Sequence, residues 1–163
     1  QWLAGIGKRT EWSNTVITGM NHTGFVVRDL DRAVEFYRDV VGLTVTRTVE
    51  RDGGPITQVV GYDDAHLRVA LMQIGDSHTL ELIQYIRPLG SERPSDERNH
   101  LGAVHLAFTV DDIDQTHGQL VARGAQGLNP PVQVAPGRTA CYLRDPEGNW
   151  TVTSSPACFS SRA

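Results

Sequence analysis

Two stretches of this 163-residue chain present the same chemistry-bearing residue in the same setting. Residues 22–31 read HTGFVVRDLD and residues 105–114 read HLAFTVDDID. Counted from His22 and His105, both have Phe at +3, Val at +5, Asp at +7, Leu or Ile at +8 and Asp at +9. Glu81 stands between Leu80 and Leu82. An ionised carboxylate between two leucines is costly to bury unless a cation faces it. Two imidazoles and one carboxylate suit a single divalent transition metal (Ni, Zn, Fe, Mn or Co), with positions left for water or substrate. His22, Glu81 and His105 are therefore the candidate metal ligands. A single histidine on a strand is commonly a surface or hydrogen-bonded residue, and it is the repeated position that sets His22 and His105 apart. His66, His78, His100 and His117 lack it and read as solvent-facing.

The elements that must carry these residues recur with the motif. The first repeat predicts a strand at about 21–28 and a helix capped by Asp29 or Asp31 that runs to about 41 and is closed by Gly42. Ala33, Phe36, Tyr37 and Val40 form the apolar stripe of that helix. Strands follow at about 43–51, 56–60, 67–74 and 79–86. The second repeat predicts a strand at 103–110, a helix at 112–123 closed by Gly124, and strands near 131–134, 138–144 and 150–154. Between the last two lies the turn Asp145-Pro146-Glu147-Gly148-Asn149.

The fold class is thus α+β, with two βαβββ repeats forming a curved mixed sheet around a concave cleft. The expected layout is an N-terminal arm at 1–19 and one domain at 20–154, followed by a tail at 155–163. Within the domain, module 1 covers about 20–86, a polar linker 87–101, and module 2 about 102–154. Alternation along the strands sorts their faces. Phe25 and Val27 oppose His22, Gly24 and Val26; Phe108 and Val110 oppose His105, Ala107 and Thr109. Leu80 and Leu82 oppose Glu81, Thr79, Ile83 and Tyr85.

Composition narrows the classes of function. Fifteen Lys and Arg against nineteen Asp and Glu give a net charge of −4, without the basic footprint of a nucleic-acid binder. Two cysteines, Cys141 and Cys158, make no disulfide framework. No apolar run reaches the roughly 20 residues that span a bilayer, and Trp2 to Gly7 reads as too short for a leader. The expectation is a cytoplasmic protein that binds a small molecule, with neither nucleic acid nor membrane as partner.

The run HTGFVVRDLDRAVEFYRDVVGL, followed by HTLELIQY, HLAFTVDDID and RTACYLRDPEGNW, resembles the vicinal oxygen chelate superfamily over residues 20–154. That superfamily includes glyoxalase I, methylmalonyl-CoA epimerase, extradiol dioxygenases, fosfomycin-resistance enzymes and bleomycin-resistance proteins. The central VERDGGPITQVVGYDDAHLRVALMQI resembles its glyoxalase and epimerase-like branch. The resemblance implies ligands on the first and last strand of each repeat, which places them at His22, Glu81 and His105. The fourth, a Glu in the closing strand, is replaced here by Val152. It also implies a homodimer with sites at the subunit junction. The activity implied is that of a metal-dependent lyase or isomerase, acting on a small carbonyl compound through a metal-stabilised enolate.

A valine neither ligates a metal nor accepts a proton, so two alternatives stand beside that activity. One is a non-catalytic antibiotic- or metabolite-binding protein of the bleomycin-resistance type; the other is an Fe(II) extradiol-type dioxygenase. Tyr85 and Trp150 are expected to offer flat surfaces to a substrate, as readily as they could serve as core aromatics. Arg138 and Arg68, read as opening corresponding strands, are expected to meet an anionic substituent or to pair with surface carboxylates.

Overall fold

A computed structural model of the chain describes residues 17–93 and 95–154; the expected arm, except for 17–19, and the tail with Cys158 lie outside the described residues. Each repeat folds as its pattern requires. In the first, β1 (Thr23–Val26) leads into α1 (Leu30–Glu35), whose cap is Asp29: its side chain accepts a hydrogen bond from the Arg32 amide. The helix then widens into a π-helical turn, Phe36–Val41, and stops at Gly42, whose φ of 91° suits glycine. In the second repeat Asp112 performs the same capping for α3 (Ile113–Ala122), accepting from the Gln115 amide.

The first sheet comprises β1, β2 (Thr44–Asp52), β3 (His66–Ile74) and β4 (His78–Arg87), in the order β1-β4-β3-β2. The second comprises β5 (His105–Thr109), β6 (Gln126–Gly127), β7 (Val132–Ala135), β8 (Arg138–Arg144) and β9 (Trp150–Ser154). Its order is β5-β9-β8-β6, with β7 also on β8. β1 and β5 each run parallel to the last strand of their own repeat, while the other pairings are antiparallel. Among the described residues the repeats build two separate sheets, and β1 and β5 are each an edge.

One expected strand is a helix. Residues 55–60 form α2 (Pro55–Val60), although Ile56, Val59 and Val60 read as β-formers. Pro55 sits at the first helical position, where its missing N–H costs nothing, and Gly61 closes the helix at a φ of 75°. Tertiary placement and punctuation here outweigh side-chain propensity.

The core lies on the helix side of both sheets. Phe25, Val27, Leu80, Leu82, Ala70 and Met72 join Leu30, Ala33, Phe36 and Tyr37, and the same cluster takes in Ile113, Ala125, Cys141 and Leu143 from the second repeat. The modules are also pinned by polar contacts. The buried Tyr37 hydroxyl donates to Asp145 Oδ2 at 2.8 Å. Asp145 further accepts from the amides of Glu147 and Asn149 and from Asn149 Nδ2, so the turn that the sequence suggested is built around its carboxylate. Glu147 Oε2 accepts from the Arg28 amide at 2.7 Å, a bond between repeats rather than a ligand position.

Candidate functional site

The register of each sheet decides which side chains share a face. Gly24 lies opposite Glu81, and Glu81 opposite Leu71. The buried residues of β1 and β4 are Phe25, Leu80 and Leu82, so His22, Gly24, Glu81, Ile83 and Tyr85 stand on the other, open face. There His22 Nε2 approaches Glu81 Oε2 to 3.1 Å, with side chains 41% and 21% exposed. Gly24 leaves room for this pairing: a Cβ at that position would lie 3.6 Å from Glu81 Oε2. The carboxylate flanked by leucines thus faces an imidazole nitrogen.

The second sheet repeats the arrangement with His105 in the place of His22 and other residues at the three ladder positions. Ala107 lies opposite Val152, and Val152 opposite Tyr142, as Gly24, Glu81 and Leu71 do in the first. Val152 therefore holds the place of Glu81 and not of a neighbour. Thr151 and Thr153 point to the core side, where Thr153 Oγ1 lies 2.9 Å from Cys141 Sγ and Thr151 Oγ1 donates to Leu143 O. The His105 ring meets the Tyr142 ring edge-on at 5.4 Å.

Imidazole nitrogen and carboxylate oxygen are the donor types a divalent transition ion takes. Among the described residues no group of three or more His, Cys, Asp or Glu side chains could hold a metal ion. His22 and Glu81 come together, and His105 stands on the other sheet.

The remaining expectations divide. Tyr85 is on the face of Glu81, and its ring packs edge-on against Tyr62 at 6.0 Å. Burial, Tyr62 and Glu81 together push its hydroxyl pKa up. Arg138 is exposed at the start of β8, on the face of Tyr142 and Val152. Arg68 is not its counterpart: the position of β8 that matches Arg68 is Thr139, and Arg68 points to the helix side. There it pairs with Asp31 at 2.8 Å and donates to Gln84. The Trp150 side chain lies outside the described part of the structure.

Two histidines read as solvent-facing are held instead. His66 bonds Glu50 at 2.6 Å with Arg87 beside it, and His117 Nε2 is buried with no hydrogen-bond partner among the described residues. Sequence reasoning did not single out Arg47 and Arg51. The structure puts both on the face of Glu81, because a bulge between Val45 and Arg47 shifts β2 by one residue. Nothing short of the β2–β3 register signals that bulge. A polar pocket of about 320 Å³ lies at the module junction, and in its wall Arg93 donates to Glu147 O and Arg144 to Asp96.

Known proteins share this architecture. Over 125 residues the chain is 32% identical to a 2-epi-5-epi-valiolone epimerase from Actinomyces sp., covering 74% of this chain and 68% of that protein. It is 28% identical to the lactoylglutathione lyase of Haemophilus influenzae, covering 78% and 84%. A glyoxalase-family crystal structure from Bacillus cereus superposes with a TM-score of 0.79 at 26% identity, covering 85% of this chain and 94% of that one. The profile of the Glyoxalase/Bleomycin resistance protein/Dioxygenase superfamily matches residues 19–153. With paired βαβββ units that carry His22 and His105 at equivalent places, the chain belongs to that superfamily.

Proposed function

We propose that this protein is a metal-dependent lyase or isomerase of the glyoxalase and epimerase kind, acting on a small carbonyl compound by moving a proton at the carbon beside the carbonyl. The observation that carries this reading is the His22–Glu81 pair, a carboxylate held on the open face of the sheet, the floor of the site, between Leu71 and Ile83. Relatives named as an epimerase and as lactoylglutathione lyases support it.

Glu81 supplies the base. Its carboxylate is half-buried and has a fixed neighbour, so it needs little reorganisation to accept a proton from a substrate lying on the floor. His22 orients the carboxylate through Oε2, while Tyr85 and Tyr62 wall one end of the floor. The metal would be held by His22 and Glu81 of one copy and His105 of a second copy in a homodimer. Its contribution is to polarise the carbonyl oxygen and favour negative charge there. The open edges β1 and β5, with exposed Met20 and Val26 along one and Leu101 and Val104 beside the other, support such an assembly.

The test is proton exchange in D2O, followed by NMR on the glutathione–methylglyoxal hemithioacetal, a 2-methyl-branched thioester and a cyclic polyhydroxy ketone. Exchange is expected with at least one of them, falling 10²–10⁴-fold in Glu81→Gln. Elemental analysis is expected to find one transition metal per site, lost in His105→Ala. Metal-free, monomeric protein without exchange would overturn the proposal. The burial of Val152 at the counterpart position favours one second reading, a binding protein without turnover. Tight ligand binding without exchange would establish it.

A further inference from the structure

The floor around Glu81 has a second polar end. From the ladder partners its rows read Arg47–Leu71–Glu81–Gly24, Val49–Val69–Ile83–Val26 and Arg51–Leu67–Tyr85. Acid and imidazole occupy the β1–β4 side, aliphatic side chains the middle, and two guanidiniums the β2 side. Arg47 and Glu81 share a row with one strand between them, so their Cα atoms are two strand spacings apart, about 10 Å.

Arg47 is there because of the bulge. Unbroken alternation from Thr44, which pairs with Gln73, would face Thr46 to the floor and turn Arg47 to the helix side. The extra residue reverses this, and Thr46 Oγ1 donates to Leu71 O at 3.1 Å beside the kink. Bulges of this kind re-aim side chains next to active sites.

Arg28, Arg38, Arg68 and Arg87 are each paired with a carboxylate. Among the described residues Arg32, Arg47, Arg51, Arg123 and Arg138 have no carboxylate partner, and of these Arg47 and Arg51 lie on the face of Glu81. Arg47 is exposed, while Arg51 donates only to the Glu50 carbonyl.

We infer that the substrate carries an anionic group, a carboxylate or phosphate several bonds from the reacting carbon, and that Arg47 receives it at the β2 end of the floor. This rests on the reading of Glu81 as the base. A guanidinium binds either oxyanion through paired N–H donors, and the aliphatic strip between suits the short carbon chain that separates the two ends.

The test uses the full chain and two matched pairs: 4-oxopentanoate with its methyl ester, and dihydroxyacetone phosphate with dihydroxyacetone. Titration calorimetry is expected to show an anion binding at least tenfold more tightly than its neutral counterpart. The pair with the larger gap decides between carboxylate and phosphate. Arg47→Gln is expected to erase the gap without changing affinity for the neutral compounds, and Arg47→Lys to restore part of it. Equal affinities, no binding of any of the four, or a gap that survives Arg47→Gln would each overturn the inference. So would an Arg47→Gln protein that only self-associates more readily, the signature of a charge that guards an edge strand. Deuterium exchange on the same samples separates the two claims: a retained anion preference without exchange counts against the reaction and not against Arg47.

Discussion

Glu81 and Val152 occupy the same ladder position in two copies of one sheet, Glu81 opposite Gly24 and Leu71, Val152 opposite Ala107 and Tyr142. The duplication has kept the backbone and changed the chemistry. One copy presents a carboxylate beside an imidazole; the other presents a buried aliphatic group beside an imidazole that meets a tyrosine ring edge-on.

Putting the acid back tests that equivalence. Val152→Glu is expected to cost about 1–3 kcal/mol, because the new carboxylate is buried with only His105 near it. That is a fall in Tm of about 2–12 °C for a chain of this size, at roughly 2–4 °C per kcal/mol. Adding Ni(II) or Mn(II) is expected to return part of the loss, whereas the same ions leave the Tm of a Val152→Leu control unchanged. Thermal melts with chelator and with metal check it.

The His22–Glu81 pair is expected to contribute little to stability. Both side chains are partly exposed, so His22→Ala lowers stability by only about 0.5–1 kcal/mol. Glu81→Leu, which extends the leucine run beside Leu71 and Ile83, is expected to be neutral or stabilising. Urea unfolding of the two variants decides. A loss of several kcal/mol in Glu81→Leu would assign the carboxylate a structural role.

Tyr37→Phe is expected to cost about 1.5–3 kcal/mol, the loss of a buried hydrogen bond to a carboxylate. Burial and Asp145 hold the Tyr37 hydroxyl pKa well above its ordinary value of 10. The stability tied to its protonated form is therefore complete below pH 10 and is lost as pH rises through the higher folded-state value. Denaturant midpoints measured from pH 8 to 11 are expected to fall in the wild type and to fall less in Tyr37→Phe.

Gly24→Ala is expected to leave the site intact and to stabilise β1 by up to about 0.5–1 kcal/mol, since glycine inside a strand is entropically costly. The added methyl would meet Glu81 Oε2 and Ile83 Cδ1 at 3.6 Å, ordinary contact, and the second repeat already carries Ala107 there. A large loss of stability, or of proton exchange, would show that Glu81 needs more room than the ladder suggests.

What could be read from the chain alone was whatever repeats at short range. Phe25 and Val27 alternate with His22 and Gly24, Leu80 and Leu82 bracket Glu81, and Asp29 and Asp112 precede apolar stripes; each of these patterns fixed a face or a cap locally. Features that depend on distant partners were hidden. The bulge at Thr46 exists only in the pairing of β2 with β3, so Arg47 and Arg51 gave no sign of the face they would share with Glu81. Arg68 and Arg138 looked equivalent by their place near strand starts, and a one-residue offset put them on opposite faces. For α2, the glycines and Pro55 held the answer that β-branched content obscured.

Among the described residues β1 and β5 are sheet edges, which has a consequence for assembly. If β1 of one molecule adds to β5 of another, a twofold pair repeats that contact with the roles exchanged and covers both β1 edges and both β5 edges at once. A twist that missed this closure would leave one edge free at each end and propagate a filament. Proline substitutions that block β5 would therefore trap single molecules, as light scattering would show.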